Sequence, residues 1–245
     1  MTILITGGTK GIGLGIAEHL AGRGEPLVLG WHADAAAAQA AVGRLTGLGA
    51  RVQAVRADVG QIEGARQLVE AAAAFGDGPL HIVHAAAAIY PTALMDTDLV
   101  RFTEAIQTNG LSLLYLVRQA QLSAGSSLVF ISSAGARTTL ANYAALGCGK
   151  ALAESLVRYL VPELAPRGVR INAVAPGLVA TTSVAAMAGG EAAAERVLER
   201  GARANPSGRL AEGADYAAVV AFLLSDAARF VQGQVIHANG GAWVG

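Results

Sequence analysis

The chemistry this chain could perform centres on Tyr143 and Lys150 in the stretch "NYAALGCGKALAES" (142–155). A phenol can give up or withhold a proton, and an ammonium beside it favours the phenolate. Side chains on one helix meet most directly at a gap of three or four. Here the gap is seven, almost two whole turns, so the two side chains still share a helix face. A regular helix would separate them by about 10 Å along its axis, against about 6 Å for a gap of four. The residue four before Lys150 is Leu146, which has no proton to give, and Gly147 and Gly149 are expected to loosen the segment. A tyrosine here could equally be a packing residue at a helix start.

A second constellation lies at the start of the chain, where "TGGTKGIG" (6–13) follows an apolar run. Gly7 permits a tight turn. Gly11 and Gly13 remove side chains where a pyrophosphate would approach the backbone, and the following helix offers free N–H groups and a partial positive charge. The same loop without a ligand is an ordinary glycine-rich turn. Ser133 closes a strand ten residues before Tyr143 and could donate to a substrate oxygen. Ser132 competes with it, because strand alternation points only one of them at a site. Asn109 lies in a long helical stretch, where it could serve a site or cap or kink the helix.

These residues need elements to position them. Strands are expected at 2–6, 26–31, 51–59, 81–87, 127–133, 169–176 and 233–241. Helices are expected at 12–24, 35–48, 61–75, 98–123, 141–165, 184–204 and 212–225. Alternation of strands and helices with short turns predicts a parallel sheet covered on both faces, and right-handed connections make it doubly wound. No shift in composition divides residues 1–245, so one domain is expected. Ligands on such a sheet bind at the carboxyl ends of its strands, which is where the residues above fall.

Composition narrows the function classes. Among 245 residues, 53% are apolar and 15% charged, the balance of a compact globular chain. Eighteen Lys and Arg offset eighteen Asp and Glu, so net charge gives no reason to expect nucleic acid as a partner. The longest apolar stretches are too short to span a membrane. A first strand beginning at residue 2 leaves no room for a signal peptide, and Cys148 has no partner for an internal disulfide. A cytoplasmic setting follows as the expectation. The five histidines show no metal-ligand spacing, and His81 and His84 fall on opposite strand faces by parity.

The loop Thr-Gly-x-x-x-Gly-x-Gly resembles that of the short-chain dehydrogenase/reductase family, and the resemblance runs through essentially the whole chain. It implies a Rossmann-type α/β fold, a doubly wound parallel sheet of about seven strands with helices on both faces. It also implies roles. Gly7, Thr9, Lys10, Gly11, Ile12 and Gly13 would cradle a dinucleotide, with Asp58 and Val59 at the adenine. "NAVAPG" (172–177) would bring Pro176 and Gly177, followed by Val179 and Thr181, to the nicotinamide. Ser133, Asn109 and Lys150 match catalytic positions, Lys150 also holding the nicotinamide ribose. One departure is clear: the family commonly has Asn-Asn-Ala-Gly after the fourth strand, and this chain has "HAAA" (84–87), with Ala85 and Ala86 beside the cofactor. Where an acid would select NADH, after the second strand, stand Trp31 and His32. Lys10 suits a 2′-phosphate, so NADPH is expected, with NADH the lesser alternative through Asp34.

The Tyr-x6-Lys spacing is similar to that of enoyl-acyl-carrier-protein reductases, especially the type III class that keeps the ordinary glycine loop. This resemblance implies hydride addition to the β carbon of an enoyl thioester, with Tyr143 stabilising the enolate oxygen and Lys150 lowering the phenol's pKa. Carbonyl reduction, reduction of a small enone in specialised metabolism, and a non-catalytic relative are the alternatives. The substrate would be a small molecule or an acyl thioester. Arg196, Arg200 and Arg203, at helical spacing, are candidates to receive an acyl carrier protein. Segment 180–206 would form a substrate lid, and a homotetramer is the expected assembly.

Overall fold

The structure is a computed structural model, and it describes residues 1–244. Seven strands form one parallel sheet: β1 Thr2–Thr6, β2 Leu27–Trp31, β3 Val52–Arg56, β4 Leu80–His84, β5 Ser127–Ile131, β6 Arg170–Pro176 and β7 Val235–Ala238. Their spatial order is β3-β2-β1-β4-β5-β6-β7, with every pairing parallel. The order reverses between β1 and β4, which opens a crevice at the carboxyl edge of the sheet.

The strand period of two divides the core between two faces. On one face Leu4, Val28, Ile82, Leu128 and Phe130 pack against α3 (Ile62–Phe75), α5 (Ser112–Gln119) and α6 (Ala144–Leu164). On the other, Ile3, Ile5, Leu27, Leu29, Val129 and Ile131 pack against α1 (Gly11–Ala21), α2 (Ala35–Gly47) and α9 (Gly213–Leu224). In α3 the buried residues Ala65, Leu68, Val69 and Ala72 repeat at the helical spacing that faces the sheet. Each large aliphatic side chain buried this way contributes roughly 1.5–3 kcal/mol.

Three expected helices differ in their details. The helix expected over 98–123 is α4 (Leu99–Ile106), a π-helical turn at Gln107–Leu111, and α5. The helix expected over 184–204 is two helices, α7 (Thr182–Ala188) and α8 (Glu191–Ala204). Gly189 and Gly190, with φ of +87° and +132°, break it. The helix expected from 141 starts at Ala144, because Asn142 takes a left-handed φ of +58° and Tyr143 is the N-cap. No helix among the described residues is long and apolar enough to cross a membrane.

Candidate active site

β1 ends at Thr6 and delivers the glycine loop to the crevice. α1 then begins at Gly11 behind an extended Lys10, with no acidic side chain in its first turn to compete for the helix N-terminus. At Gly7, φ is +64°, and an added Cβ would stand 2.8 Å from the Ala86 Cα, so loop and β4 edge meet backbone to backbone. A cleft of ≈ 1280 Å³ opens over this loop. Gly7, Thr9, Lys10, Gly11, Ile12 and Gly13 line it. Trp31, His32, Asp58 and Val59 form one end, and Ala85, Ala86, Pro176, Gly177, Val179 and Thr181 continue it toward Tyr143. A cradle without side chains, at a helix N-terminus free of acids, fits a dinucleotide pyrophosphate.

The outer end of the cleft carries Lys10, Asp34 and Asp58, with Arg56 behind Trp31 and His32. Lys10 Nζ lies 3.5 Å from Asp34, whose other oxygen accepts from Ala37 N at 3.0 Å and caps α2. The cap and Lys10 together hold the Asp34 carboxyl below its usual range. Asp34 is therefore already engaged by a cap and a cation. Arg56, at the end of β3, donates through Nε to the His32 carbonyl at 3.1 Å and lies 5.8 Å from the Trp31 ring centroid. Sequence reasoning missed Arg56. Its signal was available: it is the last residue of a strand paired with the strand that carries Trp31.

His84, the first residue of the "HAAA" segment, ties β4 to β1 and α5. It is fully buried, with Nδ1 2.6 Å from Thr6 Oγ1 and Nε2 2.6 Å from Ser112 Oγ. Ser112 Oγ donates to the Thr108 carbonyl at 2.7 Å, so it accepts from His84 Nε2–H. Nδ1 therefore accepts from Thr6, which in turn accepts from Ala86 N at 3.3 Å. The protons run one way from β4 through the imidazole to the π turn. Burial, reinforced by the charge of Lys150, pushes the imidazole pKa down to about 3, so it stays neutral. His81, facing the other way, accepts from Ser127 N at 3.0 Å.

Asn109 is completely buried in the π turn and does not line the cleft. Its amide donates to Ala88 O at 2.9 Å and accepts from Ala88 N at 2.8 Å, clamping the segment after β4. Gly149 packs directly on it, since an added Cβ would come 2.5 Å from the Asn109 Cβ. The glycines of α6 thus serve close packing and do not loosen the helix, which runs unbroken from Ala144 to Leu164.

At the end of β5 the two serines separate. Ser132 donates to buried Glu154 at 2.6 Å, while Arg137 Nε donates to the same carboxylate at 2.8 Å. Ser133 Oγ lies 3.0 Å from Tyr143 Oη. Both line the cleft, as do Leu146 and Lys150. Because Tyr143 precedes the helix, the arithmetic of a regular helix does not set its reach. Burial raises the phenol's pKa, and the Ser133 hydrogen bond acts against that rise. The Lys150 ammonium donates to the Ile131 carbonyl at 2.7 Å and sits 4.5 Å from the Phe130 ring centroid. Its burial, at 4% exposure, pushes its pKa down to about 7. The sequence reading does not single out Glu154, although it lies one turn beyond Lys150 on the same face. α7 and α8 close the far side with Val184, Met187 and Val197, and Trp243 completes the wall.

A glycine cradle at the switch point of a doubly wound sheet, followed by a serine, a tyrosine and a buried lysine, defines a nicotinamide-dependent oxidoreductase. The chain belongs to the short-chain dehydrogenase/reductase family: residues 7–242 match the family model described as "Enoyl-(Acyl carrier protein) reductase". It is 36% identical over 243 residues to an uncharacterized oxidoreductase of Methylorubrum extorquens, covering 97% of this chain and 96% of that one. It is 34% identical over 242 residues to the 1-cyclohexenylcarbonyl-CoA reductase of Streptomyces collinus, covering 97% and 85%. An NADPH-dependent aldehyde reductase-like protein of Arabidopsis thaliana is 29% identical over 255 residues, covering 97% and 92%. Among solved structures, a short chain dehydrogenase of Burkholderia cenocepacia in complex with NADP superposes with a TM-score of 0.86 at 29% identity, covering 98% and 97%.

Proposed function

We propose that this protein is an NADPH-dependent reductase of a C=C bond conjugated to a carbonyl, acting on an enoyl thioester. The observation that carries this reading is the Tyr143 hydroxyl, brought to Ser133 from the helix N-cap while Leu146 fills the position four before Lys150. Reduction of a conjugated alkene builds negative charge on a carbonyl oxygen three bonds from the β carbon that takes the hydride. A donor displaced from the four-residue position suits that arrangement.

The bound nicotinamide would supply the hydride. Gly7, Thr9, Gly11 and Gly13 would hold its pyrophosphate, Asp58 and Val59 its adenine, and Thr181 the carboxamide. Lys10 and Arg56 would bind the 2′-phosphate, which supports NADPH over NADH. Lys150 would hold the nicotinamide ribose. Tyr143 donates its hydrogen bond, and then its proton, to the enolate oxygen, and the saturated thioester forms as a solvent-derived proton reaches the α carbon and the oxygen's proton returns. Ser133 orients that phenol. The N-terminus of α6 adds favourable potential for developing negative charge. Val184, Met187, Val197 and Trp243 exclude water from the reacting atoms. Arg196, Arg200 and Arg203, which line a surface groove on α8, support a phosphate-bearing carrier as the thiol half of a thioester that stays intact through the reduction. Exposed Tyr159 on α6 and Phe230 ahead of β7 support assembly with further copies, a homotetramer in our reading.

One observation favours a second reading, carbonyl reduction: the paired Ser133 and Tyr143 hydroxyls could both point at a single carbonyl oxygen. The experiment is to follow NADPH absorbance with crotonyl and acetoacetyl thioesters in parallel. Consumption with crotonyl thioesters, most of it lost in Tyr143→Phe with a measurable residue, is the expected result. Turnover of acetoacetyl thioesters alone overturns the alkene reading in favour of the second.

A further inference from the structure

The tyrosine reaches its place from an unusual position, and the residues around it are shaped to receive it. Its ring lies against Gly135, in the short 3-10 turn Ala134–Ala136: an added Cβ at Gly135 would stand 2.6 Å from Tyr143 Cδ1 and 3.3 Å from Ser133 Oγ. Any side chain there would occupy the space of the phenyl ring. Gly147, one turn into α6, lets that same 3-10 turn settle on the helix, since a Cβ there would lie 2.5 Å from the Gly135 carbonyl oxygen. The backbone before the ring is tied as well. Asn142 adopts a left-handed φ, its carbonyl accepts from Thr92 N at 3.1 Å, and Tyr143 N donates to Leu140 O at 3.2 Å. Finally, the 3-10 turn is pinned to α6 by Arg137, whose guanidinium meets buried Glu154.

We propose that Gly135 and the Arg137–Glu154 ion pair are positioning elements for Tyr143: Gly135 provides the slot for the ring, and the ion pair holds that slot against α6. This rests on Tyr143 being the proton donor, and it goes further by assigning the device that lets a tyrosine seven residues before the lysine do that work. Neither Gly135 nor Arg137 touches the reacting atoms.

The test is a double-mutant cycle. Gly135→Ala and Arg137→Gln are each made in the parent and in Tyr143→Phe, with turnover, KM, NADPH affinity by fluorescence and thermal stability read for all. Phenylalanine keeps the ring atoms that a Cβ at 135 would strike, so a purely structural clash costs the same stability in both backgrounds. A misplaced hydroxyl is different, because displacement by about 1 Å costs roughly a hundredfold in rate. The expected result is that each substitution lowers kcat by at least about tenfold in the parent and by under about twofold in Tyr143→Phe. NADPH affinity stays within about twofold throughout.

If Tyr143→Phe itself retains full turnover, the proton-donor role fails and this proposal with it. If Tyr143→Phe loses turnover but the Gly135 and Arg137 variants do not, this proposal alone is overturned. Equal fold-losses in both backgrounds also overturn it. Should Gly135→Ala not fold, Arg137→Gln alone decides. Its substitution leaves the slot open and only releases the pin, and unchanged turnover there refutes the positioning role.

Discussion

Lys150 is a cation with almost no contact with water and no ion pair among the described residues, because its neighbour on the helix face, Glu154, is taken by Arg137. Its pKa of about 7, against 10.5 for an ordinary lysine, means that the folded protein sheds this proton far more readily than the unfolded chain. Below pH 7 both states hold the proton and the full penalty of burying it applies. Between the two values the unfolded chain holds a proton that the folded chain has given up, so raising the pH favours folding. Integrated from pH 7 to pH 9, the difference between 10.5 and about 7 gives a gain of about 2 kcal/mol. Lys150→Met removes the group and therefore that portion of the pH dependence. It also removes the burial penalty, offset by loss of the charge-assisted bond to Ile131, so the methionine variant is the more stable apoprotein at pH 7. Urea denaturation of both apoproteins at pH 7 and pH 9, at fixed ionic strength, measures the effect. Parallel stability changes in parent and variant would refute the reasoning, since they would show that the lysine keeps its ordinary pKa in the folded protein.

Two further outcomes follow from the same geometry. His84→Ala leaves the Thr6 and Ser112 hydroxyls buried without their partner and opens a cavity, costing about 3 kcal/mol in denaturant unfolding at pH 7. With a folded pKa of about 3 against 6.5 unfolded, His84 contributes stability that is present above pH 6.5 and lost as the pH falls toward 3. The parent should therefore lose roughly 2 to 3 kcal/mol more than the variant between pH 7 and pH 4.5; equal losses would count against a neutral imidazole. At the outer end of the cleft, Lys10→Ala and Arg56→Ala should each raise KM for NADPH about tenfold, the equivalent of one charge-assisted contact. KM for NADH should change by less than about twofold. Steady-state kinetics with both cofactors check this, and equal losses would remove the 2′-phosphate assignment.

Much of this arrangement could be read from residue order. The glycine loop, the strand-end positions of Ser133 and Asp58, and the lysine on a long helix follow from alternation and local spacing, which the chain states plainly. What escaped was decided by contacts between distant segments. The π turn at Gln107–Leu111 has no local signature; it exists where Gly149 of α6 presses on Asn109. The start of α6 at Ala144 depends on Asn142 turning left-handed against Thr92, fifty residues earlier. The break between α7 and α8 was legible in the pair Gly189–Gly190, but helical composition on both sides outweighed it. His84 stood out as a departure from the family pattern, yet its bridge from Thr6 to Ser112 needs three segments brought together by the sheet.

That bridge constrains redesign. An imidazole offers its acceptor and its donor at opposite edges of a ring, so it can connect two hydroxyls that no side-chain amide, with both groups at one tip, can span. Transplanting the asparagine loop of relatives onto this chain is therefore not a one-residue exchange: the hydroxyls at 6 and 112 must be re-partnered in the same step, or the nucleotide loop and the interior of the sheet come apart together.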